Sequence, residues 1–157
     1  MAEPMDPLET VEAGEERIPL ARMAIAVLAL VGLVIAAYLT LFKLGYLGAI
    51  QCSVGGCEKV QSSRWAEFLG LPVAAWGVGA YTAILAVALA GVQPRFAGAR
   101  WVALALFGMS AVGVVFSAWL TYLEAFVIHA WCQWCVISAI LITLIFLLSI
   151  PGLRAAR

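Results

Sequence analysis

Four apolar runs, each about long enough to cross a bilayer, set the pattern of this chain. A spanning helix needs roughly 20 predominantly apolar residues. The first run extends from about Pro19 to Phe42 and the second from about Leu71 to Val92. The third covers about Trp101 to Leu123, with a continuation toward Ile128. The fourth covers about Trp131 to Ile150 and is expected to stop at Pro151-Gly152. Pro72 falls in the first turn of the second helix, where its missing N–H costs nothing. The longest connection, 43–70, holds Gly45, Gly48, Gly55 and Gly56, followed by a more helical stretch from Glu58 to Phe68. Gln93 to Arg100 joins the second and third helices, and a short turn near Glu124 to Ala130 joins the third and fourth. The expected fold class is an all-α integral membrane four-helix bundle over residues 18–151, with an extracytoplasmic loop carrying a short helix.

Composition agrees. The chain is 65% hydrophobic and 11% charged, with a mean hydropathy of +1.05, whereas a soluble domain carries about 25% charged residues. Its formal net charge is zero and no basic stripe is present, which excludes nucleic acid as a partner. Residues 1–17 hold Glu3, Asp6, Glu9, Glu12, Glu15 and Glu16 with two prolines, and read as a flexible, solvated tail. This segment lacks the basic start of a signal peptide, so the first apolar run reads as a retained helix in contact with membrane lipid. Arg17, Arg22, Arg95, Arg100, Arg154 and Arg157 fall at one end of the bundle, against Lys43, Lys59 and Arg64 at the other. The excess places both termini, including the 152–157 tail, in the cytoplasm.

The four cysteines all fall at the opposite, outer end. Cys132-Gln-Trp-Cys135 lies at the start of the fourth helix, where a three-residue spacing puts both thiols on one face. Unpaired N–H groups at a helix N-terminus favour a thiolate, which is both nucleophile and leaving group. Cys52-Ser-Val-Gly-Gly-Cys57 lies in the outer loop, where two glycines permit the tight turn of a short Cys–Cys loop. A weak internal repeat supports the pairing. Ala37-Tyr38-Leu39-Thr40 resembles Ala118-Trp119-Leu120-Thr121, and Cys52 and Cys132 follow these by 12 and 11 residues. Together the pairs suggest a relay from a soluble protein dithiol, through the loop and the helix pair, to a lipid-soluble acceptor such as a quinone. The alternative is a zinc-stabilised membrane scaffold in which all four cysteines hold the metal. A small transporter subunit is disfavoured, because no charged residue falls mid-membrane.

Cys52, Cys57, Ser62-Ser63-Arg64-Trp65 and the Cys132-x-x-Cys135 of the last helix resemble the vitamin K epoxide reductase family. Gly70-Leu-Pro-Val73 is similar to its bacterial branch, and the resemblance runs from about Tyr38 to Ser138. It implies a bacterial cytoplasmic-membrane enzyme that sustains disulfide formation outside the cytoplasm, with ubiquinone or menaquinone as cofactor. A thioredoxin-like extracytoplasmic dithiol protein would be the partner. By the same resemblance Cys52 is the outer shuttle, Cys57 forms a transient disulfide with Cys132, and Cys135 sits nearest the quinone. Ser63 helps place the site by hydrogen bonding. Vertebrate members bind the quinone oxygens with an Asn and a Tyr. Val73 and Ala139 stand at those positions and the chain contains no Asn, so quinone reduction is expected rather than epoxide reduction. Many bacterial members carry a fused thioredoxin-like domain. This chain stops at Arg157, so a separate partner is expected.

Trp65, Trp76, Trp131 and Trp134 fall near the outer boundary, where interfacial Trp is common. Trp65 and Trp134 flank the cysteine segments and are candidates to line a flat quinone pocket, with Ser138 beside Ala139 on the fourth helix. His129 is a candidate for proton transfer or for capping the fourth helix. Glu124, Lys43 and Arg64 read as residues of the water interface. Tyr38, Tyr81 and Tyr122 are available hydroxyl donors.

Overall fold

A computed structural model describes the backbone of residues 7–155 and the side chains of residues 18–155. Five helices are present: α1 (Pro7–Lys43), α2 (Cys57–Ser62), α3 (Val73–Val92), α4 (Arg100–Leu123) and α5 (Gln133–Ala155). Four are long and apolar enough to cross a membrane, namely α1 from Ile18, α3, α4 with its extension to Ile128, and α5. The chain is an all-α membrane bundle.

Several boundaries differ from the expectation. Helix α1 begins at Pro7 rather than Pro19, so residues 7–17 are helical where the composition reads as a flexible tail. Met1–Asp6 lie outside the described residues. Four of the eleven residues of this segment are Glu, with Leu8, Ala13 and Arg17, all good helix formers, and Pro19 removes only one backbone hydrogen bond. Likewise α5 does not stop at Pro151-Gly152 but continues to Ala155. Helix α3 starts at Val73, because Leu71–Pro72 pair with Glu67–Phe68 as a two-residue hairpin, β2 with β1. Leu69 and Gly70 turn the hairpin with φ of 54° and 79°, the double left-handed geometry that suits a two-residue connection. The Trp76 indole N–H donates to Phe68 O at 3.0 Å and holds the hairpin onto α3.

The core lies where α1 meets α3, α4 and α5. Ile25, Ala26, Ala29 and Ala36 pack against Tyr81, Ile84 and Ala88 of α3, Val102 and Leu106 of α4, and Ile142 and Ile145 of α5. Small residues let helices approach closely where lipid supplies no hydrophobic drive between them. Gly32 shows why: a methyl group there would strike the Tyr81 ring. The outward faces, among them Val27, Leu30, Val34, Val112 and Val115, are apolar and exposed, as a lipid-facing surface requires. At the end remote from the cysteines, the buried Arg22 guanidinium donates to Gly91 O and Ala97 O, each at 2.6 Å, and ties α1 to the α3–α4 connection. At the other end Lys43 Nζ donates to Gln61 O at 2.9 Å and lies 3.3 Å from Glu67 Oε1, anchoring the 43–70 loop over the bundle.

Candidate functional site

The loop is fastened to the start of α5 largely by backbone groups. Gly55 and Cys132 form an isolated antiparallel bridge, and the Gly56 N–H donates to Trp131 O at 2.8 Å. Gly55 has a φ of +96°, and a Cβ there would collide with Trp131 O, so only glycine serves. Gln133 adds a strap: its Oε1 accepts from the Ser53 and Val54 N–H groups at 3.1 and 3.3 Å. The Trp134 indole donates to Gln51 O at 2.7 Å, and Gln51 N–H donates to the Tyr38 hydroxyl at 2.9 Å.

These contacts bring the four cysteines together. Cys57, Val60 and Cys132 form one buried cluster, with Cys52 and Cys135 packed against it. Cys52 and Cys57 are joined as a disulfide, while Cys132 and Cys135 are free thiols. The bond between the loop cysteines uses two of the four thiols that the zinc scaffold would need. Accessibility differs among them: Cys52 and Cys135 are partly exposed, whereas Cys57 and Cys132 are 1% and 0% exposed.

Cys132 occupies the cap position of α5. Its carbonyl accepts the Val136 N–H, and its Sγ accepts the Cys135 N–H at 3.4 Å, as the side-chain oxygen of a Ser cap would. The Gln61 amide, on the buried face of α2, points at both sulfurs, 3.9 Å from Cys132 Sγ and 3.7 Å from Cys135 Sγ. The Cys132 thiol is held below its ordinary range, first by the hydrogen bond from the Cys135 thiol and then by the Cys135 N–H and Gln61; burial and the Glu124 carboxylate oppose this.

Glu124 is the main correction to the expected site. The sequence places it at the water interface, yet it is only 4% exposed. Helix α4 ends in a π turn, Glu124–Ile128, closed by His129 in the left-handed conformation at φ 52°. This turn folds the next segment back, so the Cys132 N–H donates to Glu124 Oε2 at 3.0 Å. One carboxylate oxygen of Glu124 and the sulfurs of Cys132 and Cys135 all lie within 4.8 Å of one another. Neither Glu124 nor Gln61 stands out in the sequence as a member of the site. The available signal is a single carboxylate at the end of an apolar run, eight residues before Cys132.

Beside the pair lies a cavity of about 380 Å³, within the size range of small-molecule pockets. Cys135 and Glu124 form part of its wall, together with Ser63 and with Trp65, Val73, Ser138 and Ala139, four of the candidates for a quinone pocket. Ser63 donates its hydroxyl to Val60 O at 2.7 Å, which links α2 to the next turn. Trp65 meets Trp119 edge to face at 6.4 Å and carries the Arg64 guanidinium 4.8 Å above its ring. Tyr81 lines the cavity too, its hydroxyl 2.9 Å from Ser138 O and 2.8 Å from Ser138 Oγ. Trp134 does not line it. One residue before Cys135 on a helix is a rotation of about 100°, and Trp134 instead packs on Tyr38 at 5.5 Å. His129 and Tyr122 lie away from the cavity wall, and Tyr122 is exposed. The wall is largely aromatic and aliphatic with few polar groups, which fits a flat apolar ring bearing oxygens.

Compared with known protein families, residues 23–150 match the Vitamin K epoxide reductase family. That span covers nearly all of the bundle and all four cysteines, and the chain belongs to the vitamin K epoxide reductase family of membrane oxidoreductases.

Proposed function

We propose that this protein oxidises a thioredoxin-like dithiol protein outside the cytoplasm and passes the electrons to ubiquinone or menaquinone, so sustaining disulfide formation. The observation that carries this reading is the cluster of four cysteines, with partly exposed Cys52 on the loop, buried Cys57 and Cys132 between, and Cys135 in the cavity wall. A partner thiolate attacks Cys52, the loop sulfur open to water, and Cys57 leaves as a thiolate. Cys57 then attacks Cys132 of an oxidised Cys132–Cys135 pair, and Cys135 is released toward the cavity. Internal exchange frees the partner as its disulfide and restores the Cys52–Cys57 bond. Two electrons thus reside on Cys132 and Cys135. The bound quinone supplies an acceptor for two electrons and two protons. Trp65, Val73, Ser138 and Ala139 would hold its ring, with Ser63 keeping the α2 turn in place. Absence of the Asn and Tyr at Val73 and Ala139 favours quinone over epoxide reduction. The distribution of basic residues favours cytoplasmic termini, with the site at the outer face of a bacterial cytoplasmic membrane.

The test is anaerobic reduction of ubiquinone and menaquinone, driven by a reduced thioredoxin-like protein, in wild type and Cys135→Ala. Turnover in the wild type that vanishes in the variant is the expected result. No turnover with either quinone, with zinc bound to the purified protein, would favour the scaffold and sink this reading.

A further inference from the structure

We propose that Glu124 is the proton carrier of the inner cysteine pair, taking the thiol protons and delivering them to the quinone. This rests on the quinone-reducing reading above. A carboxyl group buried in an apolar segment is costly and calls for a function with a named partner. Among the described residues Glu124 is the one buried acidic side chain, and no salt bridge to a cation reaches it. The titratable groups that face it are Cys132 and Cys135 of α5. Helix α2 contributes the neutral Gln61 to the same cluster, and Tyr122 of its own helix is exposed.

The placement suits the task. Glu124 and Cys135 share the wall of one cavity, so a ring lying against the sulfur also lies against the carboxyl. Oxygen Oε2 accepts the Cys132 N–H. A carboxylate and a carboxylic acid both accept such a bond, so a proton can arrive and leave without loosening the start of α5.

The balance closes within the site. The reduced pair holds two thiol protons. Closing the Cys132–Cys135 bond releases two electrons and both protons, and quinone becomes hydroquinone by accepting all four. Glu124 takes the Cys135 proton first and hands it to one quinone oxygen. It is then free to take the Cys132 proton to the other. No outside acid or base is required.

The test compares wild type, Glu124→Gln and Glu124→Asp. Gln still accepts the Cys132 N–H but carries no proton, and it removes the charge that opposes a thiolate at Cys132. Two readouts are paired: single-turnover quinone reduction across pH, and alkylation of the inner thiols by an uncharged maleimide in quinone-free protein. In Glu124→Gln, alkylation should be at least as fast as in wild type, while quinone reduction falls about 10²-fold or more, the usual yield of general acid–base catalysis. Its pH profile should lose a limb, and Glu124→Asp should recover part of the rate. Thermal unfolding of every variant at the wild-type temperature should report an intact fold. Equal quinone reduction in wild type and Glu124→Gln overturns this proposal alone. So does parallel loss of alkylation and quinone reduction in Glu124→Gln, which marks a structural role. A wild type that reduces neither quinone overturns the underlying reading as well.

Discussion

The two cysteine pairs of this protein differ in nearly every physical respect. Cys52 and Cys57 sit on a glycine-rich loop whose geometry depends on a left-handed Gly55, with one sulfur open to water. Cys132 and Cys135 sit at the start of a membrane helix, between an amide on one side and a carboxyl on the other. The loop pair is tuned by access and the inner pair by hydrogen bonding. On the function proposed above each pair would have the surroundings its client needs: an accessible sulfur for a large soluble dithiol, and one in an apolar wall for a lipid-soluble ring. The backbone bridge between Gly55 and Cys132 joins the two environments.

The contrast is broken most completely by Cys135→Ala. Quinone reduction should fall to background, while dithiothreitol still opens the Cys52–Cys57 bond at the wild-type rate; thiol counting by mass checks the second half. Gly55→Val attacks the junction. Its side chain meets Trp131 O in a strained backbone region, at a cost of about 1–3 kcal/mol. Electron transfer from the partner should drop about tenfold or more, since 1.4 kcal/mol is a factor of ten. Oxidation of an inner pair already reduced chemically should change little, and stopped-flow measurement of both steps separates the two.

Gln61→Leu sharpens the account of the inner pair. Gln61 donates toward both sulfurs and helps hold the Cys132 thiol low. Removing it moves that thiol upward, so a smaller fraction is thiolate at any given pH and the fraction is regained as pH rises. The loss at neutral pH should be several-fold, about tenfold at most for one hydrogen bond to a charged group at these long distances. The pH profile of Cys132 alkylation in the reduced protein should shift to the alkaline side, and an unshifted profile would assign Gln61 to packing alone. Arg22→Met should have the smallest redox effect. It leaves Gly91 O and Ala97 O without their donor, costing about 1–3 kcal/mol in stability. Quinone reduction at low temperature should be unchanged, because both carbonyls lie at the far end of the bundle. Thermal unfolding and turnover measured on the same sample test this.

The membrane bundle is legible in the sequence because apolar length alone declares a spanning helix, and the cysteines declare themselves by spacing. Boundaries are less so. Pro19 reads as a helix start and Pro151 as a stop, yet both lie inside helices, since one lost hydrogen bond does not end a helix rich in good helix formers or held in a bundle. Trp134 misleads because proximity in sequence to Cys135 says nothing of the rotation between adjacent helical residues. Glu124 and Gln61 are hidden for another reason. Each reaches the inner pair only through the fold, one by a π turn that reverses the chain and the other by a six-residue helix laid across the end of the bundle. No local pattern encodes such an approach.

The bridge between Gly55 and Cys132 is made of main-chain atoms, and therefore does not depend on which sulfurs are bonded at any moment. The consequence is one of timescale. If the two pairs keep a fixed spacing throughout the cycle, passing a disulfide between them asks only for rotation about the side-chain bonds of Cys57 and Cys132. Both residues are buried, so this rotation is slower than the ps–ns flips of exposed side chains, yet it calls for none of the loop and domain movement that extends to ns–ms. The pace of the internal hand-over would then be set by the bond exchange itself and not by any large excursion of the loop.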